Sequence, residues 1–116
     1  MRIEDYSFGR IVVDGTTYTK DIKIIKGEVV PKWWRESGHL LQYQDIEDIV
    51  AAEPDLLIVG TGSPGRLKID PELPSLLEQK GIKMEILPTQ QAIERFNTLV
   101  EKQGTDRIAA ALHLTC

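Results

Sequence analysis

The sequence predicts an α/β domain in which parallel core strands are joined by crossover helices and preceded by a β-rich N-terminal hairpin section. Three observations predict it. Asp14-Gly15 and Lys26-Gly27 each separate two β-rich runs in the first third of the chain. Leu56 to Val59 is wholly apolar, as expected of a strand covered on both faces. After Trp34 the hydrophobic period alternates between helical and extended.

Taken in order, "RIVVDGTTYT" predicts a hairpin through a type I′ turn at Asp14-Gly15. "DIKIIKGEVVPKWW" repeats the pattern around Lys26 and Gly27, and Ile22 and Ile24 share a face with polar neighbours between them. That spacing suits a half-exposed antiparallel sheet, and the two hairpins together predict a four-strand meander. In "QDIEDIVAAEP", Ile46, Ile49 and Val50 stand at helical spacing, Asp45 suits the N-cap and Pro54 ends the run. "RLKI" alternates like a short strand.

In "DPELPSLLEQKG", Asp70 caps, Pro71 suits the first helical position, Leu73, Leu76 and Leu77 form the buried stripe, and Gly81 closes the helix. "IKMEIL" is the next strand. Thr89 then caps the longest helix, with Ala92, Ile93, Phe96, Leu99 and Val100 on one face and Gly104 at its end. Arg107 to Leu114 is the last strand. Three strands separated by helices argue for parallel pairing.

At 116 residues, with 41% hydrophobic and 28% charged residues, the chain has the size and balance of one soluble globular domain spanning residues 1–116. Its apolar runs are too short to cross a bilayer, and "MRIEDYSFG" lacks the basic-then-apolar order of a signal peptide, so a cytoplasmic location is expected. One cysteine, Cys116, excludes an internal disulfide, and two histidines beside it leave few ligands for a closed zinc site. A net charge of −4 gives no general attraction to nucleic acid.

Gly60, Gly62 and Gly65 fit the spacing G-x-G-x-x-G after a strand. A dinucleotide loop needs a helix to open at the turn, yet Pro64 interrupts the loop and the nearest helix start is Asp70-Pro71. The acidic residue expected about 20 residues on is also misplaced, because Glu85 lies inside the next strand. Two readings stand: the glycines provide positive φ or close backbone approach, or they form a small-anion nest with Arg66 beside it.

Four short stretches in order, "WWR" (33–35), "IVGTG" (58–62), "LPTQQAIERFN" (87–97) and "HLTC" (113–116), resemble a family of small domains of unknown function. That family includes the adipogenesis-associated domain protein and, more distantly, a mitochondrial complex I assembly factor. The resemblance covers essentially the whole chain. It implies a compact fold with a central mixed sheet and roles in assembly or regulation through protein contacts, with no agreed reaction.

If the three core strands are parallel, the loops after Gly60, Leu87 and Leu114 lie at one sheet edge, where open α/β sheets bind ligands. The candidate ligand contacts there are Arg35, Gly60, Thr61, Gly62, Thr89 and His113, with Ser63 and Cys116 nearby, and a helix starting at Thr89 points free amides at the same place. Residues three apart on a strand face opposite ways, which argues against a Cys116–His113 dyad, so no catalytic residues are assigned. In an extended chain one of Trp33 and Trp34 faces the core and the other is left for a partner; a bend would let both rings pack. Arg35 either binds a carboxylate or phosphate or makes a structural ion pair, and His39 reads as an ordinary loop residue.

The sequence therefore leans away from an enzyme and toward a non-catalytic protein-interaction or assembly module, with Trp33 and Trp34 as the candidate interface. The alternative is an enzyme or sensor of a small anion. An unidentified protein partner is expected, a homo-oligomer is a further option, and neither cofactor, metal, nucleic acid nor membrane is expected.

Overall fold

A computed structural model describes residues 1–116. Its N-terminal section is a three-stranded antiparallel meander of β1 (Ile3–Ser7), β2 (Arg10–Val13) and β3 (Thr16–Tyr18). The β2–β3 turn is the Asp14-Gly15 pair, at φ 48° and 81°, the left-handed conformation that a type I′ turn requires. Next come β4 (Ile22–Ile25) and β5 (Glu28–Val30), joined through Lys26 and Gly27 at φ 50° and 77°.

This second hairpin corrects the expectation of a four-strand meander. Instead of extending the first sheet, β4 joins a separate five-stranded sheet with the order β5-β4-β10-β7-β9, built from β7 (Leu56–Gly60), β9 (Lys83–Leu87) and β10 (Ile108–Leu112). β10, β7 and β9 run parallel, whereas β4 is antiparallel to β10 with Ile22 opposite Leu112. A two-stranded parallel pair, β6 (Leu40–Leu41) with β8 (Lys68–Ile69), ties two loops together.

Helix α2 (Leu73–Gln79) lies between β7 and β9 in the chain, and α3 (Thr89–Gln103) carries it from β9 across to β10. Alternation along the two central strands divides the core into two layers. Ile58, Ile108, Ala110 and Leu112 face α3 and the meander, where Ile11, Ile93 and Phe96 pack with them. Leu57, Val59, Ala109 and Ala111 face α2 and the segment from Trp33 to Ile49. No helix is long and apolar enough to cross a membrane.

Several local expectations change. Ile22, Lys23 and Ile24 are all buried, so β4 is covered on both faces; Lys23 reaches Asp48 with its Nζ at 2.7 Å and lies 6.0 Å from the Trp33 ring centre. Asp45 does not cap a helix from outside. It sits within a 3-10 turn (Tyr43–Ile46) that precedes α1 (Glu47–Ala51), and its carboxylate accepts the amides of Gln42 at 2.9 Å and Glu36 at 3.2 Å. Leu76 leaves the predicted stripe and is exposed, while Leu73 and Leu77 are buried. Pro88, not Thr89, is the cap residue of α3, and Thr89 is its first helical residue.

Candidate functional site

Parallel pairing of β7, β9 and β10 brings the loops after Gly60, Leu87 and Leu112 to one end of the sheet. Because β4 runs antiparallel to β10, the residue that precedes it, Asp21, arrives at the same end beside His113 and Leu114. The Asp21 carboxylate accepts from Arg35 Nη1, His113 Nδ1 and the Leu114 amide, each at 2.8 Å. Burial alone would raise its pKa; the bonds from His113, Leu114 and Arg35 outweigh that effect and hold it below the usual carboxylate value.

Arg35 and His113 are themselves buried. The Arg35 guanidinium donates to the Gly38 carbonyl through Nη2 at 2.9 Å and stacks 4.7 Å from the centre of the Trp33 ring. Trp33 is fixed in turn, its Nε1 donating to the Asp45 carbonyl at 2.9 Å. An ionised Asp21 accepts a hydrogen bond from a proton held on His113 Nδ1, and the other ring nitrogen, Nε2, is buried and has no hydrogen-bond partner. His39 is exposed with its ring edge-on to His113 at 6.4 Å. Tyr6 joins the edge by donating to the Leu114 carbonyl at 3.0 Å, and its pKa is raised by burial and by the nearby Asp21 charge.

The six candidate ligand contacts do meet at this end, largely as partners of one another. Thr89, fully buried, accepts the Gly62 amide at 2.8 Å and donates to the His113 carbonyl at 2.6 Å through one hydroxyl. Its own amide is bonded to the Gly62 carbonyl, which corrects the expectation of a free amide at that position. The Thr61 and Ser63 amides bond to the Leu87 and Thr115 carbonyls, and Gly60 accepts from the His113 amide.

Gly62 has φ +102°, and a Cβ there would come 2.1 Å from the Thr115 carbonyl oxygen. The glycine turn thus serves close backbone approach. Cys116 is half-buried, its carbonyl accepting the Arg66 amide, and no group of three or more His, Cys, Asp or Glu side chains converges as a metal site.

Outside this bonded layer, a cleft of about 540 Å³ opens between the chain before β4, the chain after β5 and the C-terminal segment. Asp21, Arg35 and His113 line it, together with Lys20, Lys32, Trp33 and Trp34. Trp33 is 7% exposed and Trp34 is 77% exposed, so the two rings do part, one to the core and one to the surface. Sequence reasoning missed Asp21, Lys20, Lys32 and Tyr6. The signal that could have found them was the pairing of β4 with the last strand.

The match to the family described as "Protein of unknown function (DUF498/DUF598)" spans residues 3–113. The chain belongs to this family. A conserved hypothetical protein of Pyrococcus horikoshii is 30% identical, with all of both chains covered and a TM-score of 0.78. Two more distant structures share the DUF498/DUF598 chain's fold. One is described as an outer membrane protein of Bartonella henselae, at 23% identity, with 98% of this chain and 94% of that one covered and a TM-score of 0.80. The other is a Bordetella pertussis protein described as a Mth938-like domain, at 19% identity, with 97% and 85% covered and a TM-score of 0.70.

Proposed function

We propose that the chain is a non-catalytic protein-interaction or assembly module that holds an acidic segment of a partner protein in the cleft beside Trp34. The observation that carries this reading is the 77% exposure of a tryptophan on the rim of that cleft. An indole supplies large rigid contact area and a single N–H donor, the combination that concentrates binding energy at interfaces.

Lys20 and Lys32 line the same cleft without an ion pair of their own, a local positive field on a chain of net charge −4. Carboxylates of a partner would be drawn there and oriented, with an apolar side chain set against the indole. The resemblance of the stretches at 33–35, 58–62, 87–97 and 113–116 to a family whose implied roles run through protein contacts also favours an assembly role. A small anion held at the strand-end loops by Arg35, Thr61, Thr89 and His113 has weaker support. Those groups are already bonded to the protein.

Native mass spectrometry of the protein purified from its own host tests the proposal. The wild type should carry an added polypeptide mass, and Trp34→Ala should lose it while keeping its melting temperature. Retention of the same polypeptide by both Trp34→Ala and the Lys20→Glu/Lys32→Glu double variant would remove the cleft as the contact site. A small bound mass that survives both changes would favour the anion reading.

A further inference from the structure

We propose that β9 is a self-pairing edge, along which two copies of the chain join antiparallel about a two-fold axis centred on Met84. β9 is the terminal strand of the five-stranded sheet, with nothing paired on its outer side. The Lys83 amide donates to the Asp55 carbonyl at 3.0 Å, and the Leu87 carbonyl accepts the Thr61 amide at 2.9 Å. In a parallel pair the bonding residues of one strand alternate, so Lys83, Glu85 and Leu87 direct their backbone groups at β7. Met84 and Ile86 direct theirs outward.

The other end of this sheet is not equivalent. β5 has only three residues, whereas β9 has five; each is followed by a proline, Pro31 and Pro88, so the difference lies in the length of free edge. Ile86, an apolar residue, is also 43% exposed on this edge.

Charge selects both the occupant and the register. The outward residues permit two-fold pairings centred on Met84, on Glu85 or on Ile86. Centring on Glu85 sets Glu85 against itself, and centring on Ile86 sets it against Leu87. Centring on Met84 sets Lys83 opposite Glu85 of the second copy and Glu85 opposite its Lys83, two reciprocal pairs of opposite sign on one face. The Arg95 bond already holds Glu85 below its usual pKa, so it is ionised through the neutral range.

On the other face, which Met84 shares with α2, the same register places Ile86 opposite Ile82 of the second copy. There it meets a hollow of about 460 Å³ lined by Pro74, Glu78, Ile82 and Met84. A second copy of the chain thus matches this edge in charge and in shape, and in hydrogen bonding through Met84 and the Ile86 amide, the Ile82 amide being held by the Leu77 carbonyl of its own chain.

Sedimentation equilibrium over rising concentration tests the proposal, with the mass expected to climb from 13.1 kDa toward twice that value. Ile86→Pro removes an amide that bonds nothing within one chain, so it should stay monomeric and, at concentrations too low for the wild type to pair, should remain cooperatively folded. Lys83→Glu and Glu85→Lys should each weaken association by about tenfold or more, since each opposes like charges. Mixed in equal amounts, these two variants should associate with each other, because the edge of the first then carries acids at both positions and the edge of the second carries bases at both. A wild type that stays at single-chain mass up to millimolar concentration overturns the proposal. So does an Ile86→Pro variant that still dimerises, or a mixture that associates no better than its parts.

Discussion

Replacing Asp21 by Asn keeps the shape of the side chain and removes the charge on which two cationic or polarised partners converge. Asn Oδ1 can still accept the Leu114 amide, but its amide nitrogen would face Arg35 Nη1 and His113 Nδ1, donor against donor. Breaking a buried pair by removing one partner costs about 3–5 kcal/mol, because the remaining charge is stranded. The Arg35 and Asp21 side chains are 6% and 13% exposed, and Arg35 keeps its bonds to the Gly38 carbonyl, which places the loss near the lower limit at about 3 kcal/mol. At about 4 °C per kcal/mol for a domain of this size, thermal unfolding at neutral pH should fall by about 12 °C.

The pH dependence has a definite sign. Asp21 is shifted below its ordinary value of 3.8, so its stabilisation is fully present above that value and is lost as pH falls through the lower folded value. The gap between wild type and variant should therefore be widest at neutral pH and close in strong acid, where wild-type Asp21 is itself neutral. Chemical denaturation of both proteins at neutral pH and at successive values below 3.8 measures it. A neutral-pH gap below about 1 kcal/mol, the size of an exposed ion pair, would refute the reasoning, as would a gap that does not narrow with acid.

Two further substitutions probe the same edge. Gly62→Ala should cost more than about 2 kcal/mol by denaturant titration, because φ is +102° and the new methyl would collide with the Thr115 carbonyl at 2.1 Å. Thr89→Val keeps shape but removes the donor to the His113 carbonyl and the acceptor for the Gly62 amide; about 3 kcal/mol should be lost, and Thr89→Ser should restore most of it.

What the sequence makes legible is whatever local chemistry decides. Asp14-Gly15 and Lys26-Gly27 declare their turns because few residue pairs accept two consecutive positive φ values. Leu56 to Val59 declares a doubly covered strand because nothing in it tolerates water. The partner of β4 is another matter. A two-residue alternation reads the same in a meander as at the antiparallel flank of a mixed sheet, and only the burial of Lys23 between Asp48 and Trp33 tells them apart.

The site inherits that ambiguity. Asp21 is one acid before one strand until β4 pairs with β10 and brings it, across 92 residues of chain, within 2.8 Å of His113. Thr89 is legible as a helix start but not as the hydroxyl that locks two loops, since its bonds leave its own helix.

The bonded layer at the sheet end and the cleft outside it follow from one cause. Carboxyl ends of parallel strands project amides and carbonyls that must be satisfied, and a short chain satisfies them with its own glycine turn, Thr89 and C-terminal segment. In the proposed reading, recognition falls to side chains beyond that layer, Trp34, Lys20 and Lys32, which stand by the β4–β5 side of the sheet. β9 lies at the other side, separated from β4 by β10 and β7. Pairing through β9 would consume none of the cleft and would set two clefts on opposite flanks of a continuous sheet. Such a dimer would grip a partner bearing two acidic segments more tightly than a single chain does, provided that partner can span both flanks. Ile86→Pro should abolish that gain while leaving the affinity for a single segment unchanged.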